Sequence, residues 1–396
     1  MKKLLAYLSG DKVIWMIVLM LLLLSMVSVY SFVPVLIKTE GGSYFKYLFK
    51  HSIHVFLGLI IVVVVHFMNP KMFAKLSKIG FYLAIGLLLY TMFFGVKVND
   101  AGRWIRIPLV GTFQTSDFAK VAIIIYLAKL LENKEALLDN FKEGFLKVLW
   151  PLLLICALIV KDNFSTAFIL FSVGILIMFL GRAPLKYIGL TIGAIVVSVF
   201  MAIAVHELTP ADIMPVRYET WKNRIISKAD GASDPMNDMQ SINAELAISN
   251  GKVLPIDFGS GKLTIGNGQM KHYVAEAYAD FYFASFVEEF GIVMSIVLIM
   301  AYLILLFRIF RIGLNSERKF ETLMCLGFGI LMLTQTFVNM AVSTGLGPVT
   351  GQNIPFLGMG GSSMLMSCFM LGIILSISRN NNKEESFANE LGEEDE

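Results

Sequence analysis

Residues Val13–Val35 read VIWMIVLMLLLLSMVSVYSFVPV, with no charged side chain anywhere in the run. A helix needs roughly 20 apolar residues to cross the hydrocarbon core of a bilayer, with a range of about 17–25. The run is too long for the apolar core of a signal peptide and lacks a convincing small-residue cleavage site, so it reads as a retained first span. Outward from this span, centred at Leu22, similar runs centre near Leu59, Leu87, Ile124, Leu154, Ile175, Ile195, Val297, Leu331 and Leu371. Those near Ile124 and Leu154 are short. The count is about ten candidate spans.

Composition agrees. The 396 residues are 56% hydrophobic and 16% charged, whereas a soluble domain is about 45–50% apolar and about 25% charged. The net charge of +3 is too small to point to nucleic acid. Cys156, Cys325 and Cys368 each lie inside an apolar run and form no CxxC pair, so they read as small core residues. There is no P-loop, no GxGxxG and no HExxH, which removes the usual support for ATP-driven transport and zinc hydrolysis.

Lys and Arg set the orientation. Lys2, Lys3 and Lys12 precede the first span; Lys71, Lys75 and Lys78 follow the second. Lys134, Lys142 and Lys147 follow the fourth, Arg182 and Lys186 the sixth, and Arg308, Arg311, Arg318 and Lys319 the eighth. The alternation places both termini in the cytoplasm, which requires an even number of spans. The expected fold is an all-α polytopic membrane protein with one large extracytoplasmic loop, about residues 206–279, between spans seven and eight. That loop contains a helix-like piece, Met236 to Ser249, and a Gly-rich piece, Gly259 to Gly268. Residues 1–379 form the membrane domain. Residues 380–396, rich in Asn and then Glu, are expected to be a disordered cytoplasmic tail.

Three polar segments carry possible chemistry, all on the outer side. In Asn99–Lys120, Arg103 and Arg106 flank Trp104 at the expected interface, a combination suited to an anionic head group; an interfacial anchor explains Trp104 equally well. Asp117 and Lys120 lie one helical turn apart and could pair. Ionisable groups at membrane depth are costly and mark a candidate site, though a structural pair is the competing reading. In His272–Gly291, a helical spacing would put Glu276 and Asp280 on one face, with Glu288 near it. Mutual repulsion and partial burial would tune such a carboxylate as a general base; a first-turn carboxylate facing the helix dipole is the alternative. In Thr344–Ser363, Gly and Pro break the chain before Gly360, Gly361, Ser362 and Ser363 open the last span. Amides there can hold an anion, or the glycines can serve tight packing. His51, His54, His66 and His206 have no metal-ligand spacing.

These segments, in this order, resemble the SEDS family (shape, elongation, division, sporulation) of peptidoglycan glycosyltransferases. Arg103-Trp104-Ile105, Phe113-Gln114 and Lys120 are similar to the family's RRWI…QPSE..K, with Asp117 for its Glu and Thr115 for its Pro. Asp280, Phe281, Phe283, Ala284, Glu288, Glu289 and Gly291 keep their places in AHTDFIFA…EE.G. Gly345-Leu346, Pro348, Pro355 and Gly360–Ser363 resemble GLLP…G..LP..SYGGSS. Arg217, Trp221 and Arg224 fall where the family's loop begins basic and Trp-containing. The likeness covers nearly all of the membrane region. It departs at Val274-Ala275-Glu276 for LPE, Tyr278-Ala279 for His-Thr, His272 for a carboxylate, and Met359 for the Tyr of SYGG.

The resemblance implies polymerisation of lipid II, a disaccharide-pentapeptide on undecaprenyl pyrophosphate, onto a nascent glycan strand at the outer face of the inner membrane. Asp280 would be the catalytic base. Arg103, Trp104, Lys120, Arg217, His272, Glu276, Ser362 and Ser363 would contact substrate, with Asp117, Glu288, Glu289, Gly360 and Gly361 in support. A divalent cation (Mg or Mn) could neutralise the leaving group. The expected partners are a class B penicillin-binding transpeptidase and other division proteins. The likeness leans to the division (FtsW-like) branch. An elongation (RodA-like) polymerase, a lipid II flippase using Asp117 and Lys120 as a relay, and a non-catalytic division scaffold are the alternatives.

Overall fold

The computed structural model describes residues 9–98, 101–107, 111–207, 235–254, 256–257, 262–263, 274 and 278–394. Its first helix, α1 (Lys12–Glu40), begins where Asp11 accepts the Val13 and Ile14 amides at 2.8 and 3.1 Å, satisfying donors that a helix start leaves without a partner. Ser43 caps α2 (Tyr44–Phe67), and Asn69 followed by Pro70 opens α3 (Pro70–Phe94).

Next comes an antiparallel meander of β1 (Val96–Val98), β2 (Ala101–Ile107) and β3 (Gly111–Gln114). Helix α4 (Thr115–Lys134) follows directly. A 3-10 turn at Glu135–Leu137 and a π turn at Phe141–Phe145 lead into α5 (Leu146–Val160), then α6 (Phe164–Leu180) and α7 (Leu185–Glu207). In the large loop lie α8 (Pro235–Asn250) and a short pair of strands, β4 (Ile256–Asp257) and β5 (Lys262–Leu263). Helices α9 (Tyr282–Leu314), α10 (Lys319–Ser343) and α11 (Gly361–Glu394) complete the chain.

Every apolar centre read from the sequence falls inside one of α1–α7 or α9–α11. Among the described residues, 7 helices are long and apolar enough to cross a membrane, and α6 and the first part of α7 are shorter apolar helices. Helix α4 carries Asp117, Lys120, Lys129 and Glu132 and is apolar only between them. The protein is thus a mainly helical, polytopic membrane protein. Two details add to the expected helical picture. The segment around Trp104 is the β-meander, because Trp, Ile, Thr and Phe favour an extended backbone. The acidic tail expected to be disordered continues α11 as helical backbone to Glu394. Glu, Lys and Ala favour helix, and adding residues to an existing helix needs no new nucleus.

The bundle closes through small residues, as lipid-embedded helices do. Helix α11 lies along α2 more extensively than any other pair of elements contacts. At that seam a Cβ added to Gly58 would come 2.8 Å from Cys368 Sγ, and one added to Gly372 would come 2.7 Å from Val65 Cβ. All three cysteines are free and buried.

Helix α9 is broken. At Gly291 φ is 81° and ψ 172°, a backbone shape that side-chain-bearing residues rarely adopt. The amides after the break, Ile292 and Val293, donate to the carbonyls of Lys252 and Val253 at 2.8 and 3.2 Å. The large loop therefore supplies acceptors that the helix loses. The short outer piece, Tyr282–Phe290, is buried except at Glu288.

Candidate active site

Asp280 lies in a turn over residues 278–281, not in a helix. Asp280 and Glu288 therefore do not share one continuous helix face, and Glu276 lies outside the described residues. The cap residue of α9 is Phe281, and its side chain makes no capping hydrogen bond. The half-buried Asp280 sits one residue before it.

Asn339, near the end of α10, fixes that turn. Its Nδ2 donates to the carbonyls of Ala279, Asp280 and Gln352 at 3.0, 3.0 and 2.8 Å, while its Oδ1 accepts from the Phe283 amide at 3.3 Å. Asn339 is 1% exposed, so these bonds form out of reach of water and leave few alternatives. Gln352 passes the constraint on, donating from Nε2 to Thr166 Oγ1 at 2.8 Å. Met359 N donates to Tyr278 O at 3.1 Å. Beside the carboxylate, Gly351 has φ 68°, and a Cβ there would lie 3.8 Å from Asp280 Oδ2. The loop after α10 is thus shaped around the Asp280 turn from two sides.

Asp117 and Lys120 form a second cluster in the first turns of α4. Lys120 Nζ is 2.9 Å from Asp117 Oδ1, with side-chain exposures of 6% and 7%. Asp117 Oδ2 accepts from Ser362 Oγ at 2.7 Å. Ser362 is in the first turn of α11, where Gly361 packs against the His54 ring of α2. The sequence segments at Asp117 and at Gly360–Ser363 therefore meet. Met359 and Ser362 tie this cluster to the Asp280 turn, and their Cα atoms can be no more than about 11 Å apart.

The meander sits over the same end. Strand alternation sends Arg103 and Trp104 to opposite faces and groups Trp104 with Arg106. Trp104 Nε1 is buried with no hydrogen-bond partner among the described residues. A Cβ on Gly111 would lie 3.6 Å from Lys50 Nζ, which adds a cation from α2 that the sequence reading did not single out. Ser363 is half-buried next to Ser362, Glu289 is buried and Glu288 half-buried. Arg217, His272 and Glu276 lie outside the described residues. Asn339 and Gln352 were also missed; a polar Asn late in an apolar span was the available signal.

A broken, loop-strapped helix start that presents a carboxylate at one end of an apolar bundle, beside a cationic meander, defines a polytopic membrane protein with a polar site at its rim. Comparison with known proteins makes the class specific. The chain matches the FtsW/RodA/SpoVE family, described as a cell cycle protein, over residues 11–383, and it belongs to that family. It is 30% identical over 375 residues to the probable peptidoglycan glycosyltransferase FtsW of Trichlorobacter lovleyi, covering 93% of each chain. The protein of that name from Alcanivorax borkumensis is 30% identical over 379 residues, with 92% of each chain covered. Among solved structures, a chain from a peptidoglycan synthase complex that coordinates polymerization and crosslinking superposes with a TM-score of 0.74 at 22% identity, covering 94% of this chain and 98% of that one. The rod shape determining protein RodA of Thermus thermophilus gives 0.65 at 20% identity, covering 94% and 97%.

Proposed function

We propose that this protein is a peptidoglycan glycosyltransferase that polymerises lipid II at the outer face of the cytoplasmic membrane during cell division. The observation that carries this is the Asp280 carboxylate at the bundle rim, in a turn whose backbone Asn339 holds at both Ala279 and Asp280. The FtsW-named relatives support the activity and the division role. The alternation of basic segments supports the orientation, with termini inside and Asp280 outside.

In this reading the 4-hydroxyl of the incoming disaccharide gives its proton to Asp280. Its oxygen forms the new bond to the anomeric carbon of the growing chain. The undecaprenyl pyrophosphate departs with the electron pair of the broken bond. A positioned base contributes typically about 10²–10⁴-fold, and rigid placement of its backbone keeps the carboxylate aligned with the hydroxyl. Arg103, Arg106 and Lys50 provide positive charge for the pyrophosphate, and Trp104 offers an unused donor. Lys120 acts through Asp117, holding Ser362 and the start of α11 in place. Arg217, with the pyrophosphate, and His272 and Glu276 are the other substrate contacts in this reading. Among the described residues no group of three or more His, Cys, Asp or Glu could hold a metal ion.

A class B penicillin-binding transpeptidase would crosslink the strands made here. The fold relative from a complex that joins polymerization to crosslinking supports that partnership.

Labelled lipid II incubated with the purified protein and its cognate transpeptidase tests the proposal. Glycan strands from wild type but not from Asp280→Asn support it. Equal product from both removes Asp280 from the chemistry. No product from either, with the partner bound, favours a flippase or a scaffold.

A further inference from the structure

The end of the bundle farthest from Asp280 contains a cavity. It has a volume of about 740 Å³ and opens where the start of α1, the end of α9 and the later turns of α11 meet. Arg308, in its wall, lies well down α9 past the break at Gly291, and the unbroken stretch from Ile292 to Arg308 alone spans roughly 24 Å at about 1.5 Å per residue. The cavity is therefore separate from the Asp280 site.

Its wall is cationic, with one carboxylate already engaged. Asp11 accepts the Val13 and Ile14 amides through Oδ1, and its Oδ2 lies 3.4 Å from Arg308 Nη1. A guanidinium has five donors, so Arg308 keeps capacity toward the cavity. Lys12 and Arg311 also line it, and among the described residues neither makes an ion pair. Glu317 is the other carboxylate at the cavity, exposed at the rim. Asn381 closes one side, donating to Ile312 O at 3.1 Å and Ser316 Oγ at 3.2 Å, which joins α11 to the end of α9. Val13 and Ile312 add apolar surface.

We propose that this cavity holds the phosphodiester head group of an anionic phospholipid. Three observations select that occupant. The cavity lies at the ends of apolar membrane helices, the depth of lipid head groups. It offers cations and amides beside aliphatic side chains, which matches the junction of a head group and its acyl chains. Its volume falls in the range of small-ligand sites, about 300–1,000 Å³. Basic pockets between membrane helices on the cytoplasmic side bind anionic head groups in this way. Such a lipid would bridge α1, α9 and α11, the last two of which begin at the Asp280 turn and at Ser362.

The test counts bound lipid by native mass spectrometry on the full-length protein in mild detergent. Phosphatidylglycerol is titrated, with phosphatidylcholine as the zwitterionic control and inorganic phosphate as a free-anion competitor. Wild type is expected to retain phosphatidylglycerol over phosphatidylcholine. The double variant K12Q/R311Q is expected to weaken that retention by roughly tenfold or more, since each Lys or Arg near a membrane surface adds several-fold attraction for anionic lipid. Asp280→Asn is expected to bind phosphatidylglycerol as wild type does, which separates this site from the catalytic reading. Equal retention of both lipids by wild type overturns the proposal, as does unchanged retention by a folded double variant. Displacement by inorganic phosphate at concentrations comparable to the lipid assigns the cavity to a free anion and overturns it too. If the double variant does not fold, the two-lipid comparison on wild type decides.

Discussion

The two ends of the bundle are held by different kinds of bond. At the Asp280 end the ties are buried and run from side chain to backbone or between paired side chains: Asn339 to the turn, Gln352 to Thr166, Ser362 to Asp117 and Lys120. At the opposite end they are partly exposed ion pairs and helix-end caps. Lys319 meets Glu135 at 2.7 Å, Lys129 meets Glu132 at 2.6 Å, and Arg379 caps α2 through the carbonyls of Phe67 and Met68. Buried polar bonds are directional and costly to lose, whereas exposed pairs contribute little each. The difference places geometric precision where chemistry is proposed and leaves the other end to charge.

The sharpest test of that division is Asp280→Asn. Polymerisation of labelled lipid II should fall by about 10²–10⁴-fold, the usual worth of a positioned base, while the thermal midpoint stays near wild type. Activity that survives would make the strapped turn a structural feature only. Asp117→Asn ranks next. Losing one partner of a buried pair costs roughly 3–5 kcal/mol because the other charge is stranded. A clear drop in thermal midpoint in detergent is expected, with much of it recovered in the double variant D117N/K120M. A midpoint unchanged by D117N would mean that this end is no more tightly held than the other. Asn339→Leu is expected to cost less, roughly 1–3 kcal/mol for each buried group left without a partner, and to lower polymerisation by loosening the turn. Normal activity with normal stability would show that the turn holds its shape without the amide.

The sequence marked these ends unequally. The apolar runs located the membrane helices because lipid leaves the backbone few other options. Asp280 was singled out from the sequence, but as part of a helix. The expected helix fails there because Asn339, Gly351 and Met359, far along the chain, impose a turn, and no local periodicity reports such contacts. The meander was legible in principle from the strand-favouring Trp104, Ile105 and Ile107 but was masked by its position between two spans. Asp117 and Ser362 were flagged separately; their meeting at 2.7 Å is a tertiary fact. The break at Gly291 gave almost no signal, since a lone Gly within an apolar run is ordinary in membrane helices.

Glu135→Gln at the far end should do least, and its small effect is what gives the contrast meaning. The Glu135 carboxyl is 44% exposed. The hydrogen bond from Lys319 holds its pKa below the ordinary value of 4.5, against the opposing effect of burial and with further help from the charges of Lys319 and Arg182. A depressed folded pKa means that the contribution is fully present above pH 4.5 and is lost as pH falls through the lower folded value. The midpoint difference between wild type and Glu135→Gln should therefore be slight at pH 7, shrink under acid, and shrink at high salt because the pair is exposed. A large difference that persists in salt would mean that this end, too, depends on specific contacts, and the contrast between the two ends would have to be abandoned.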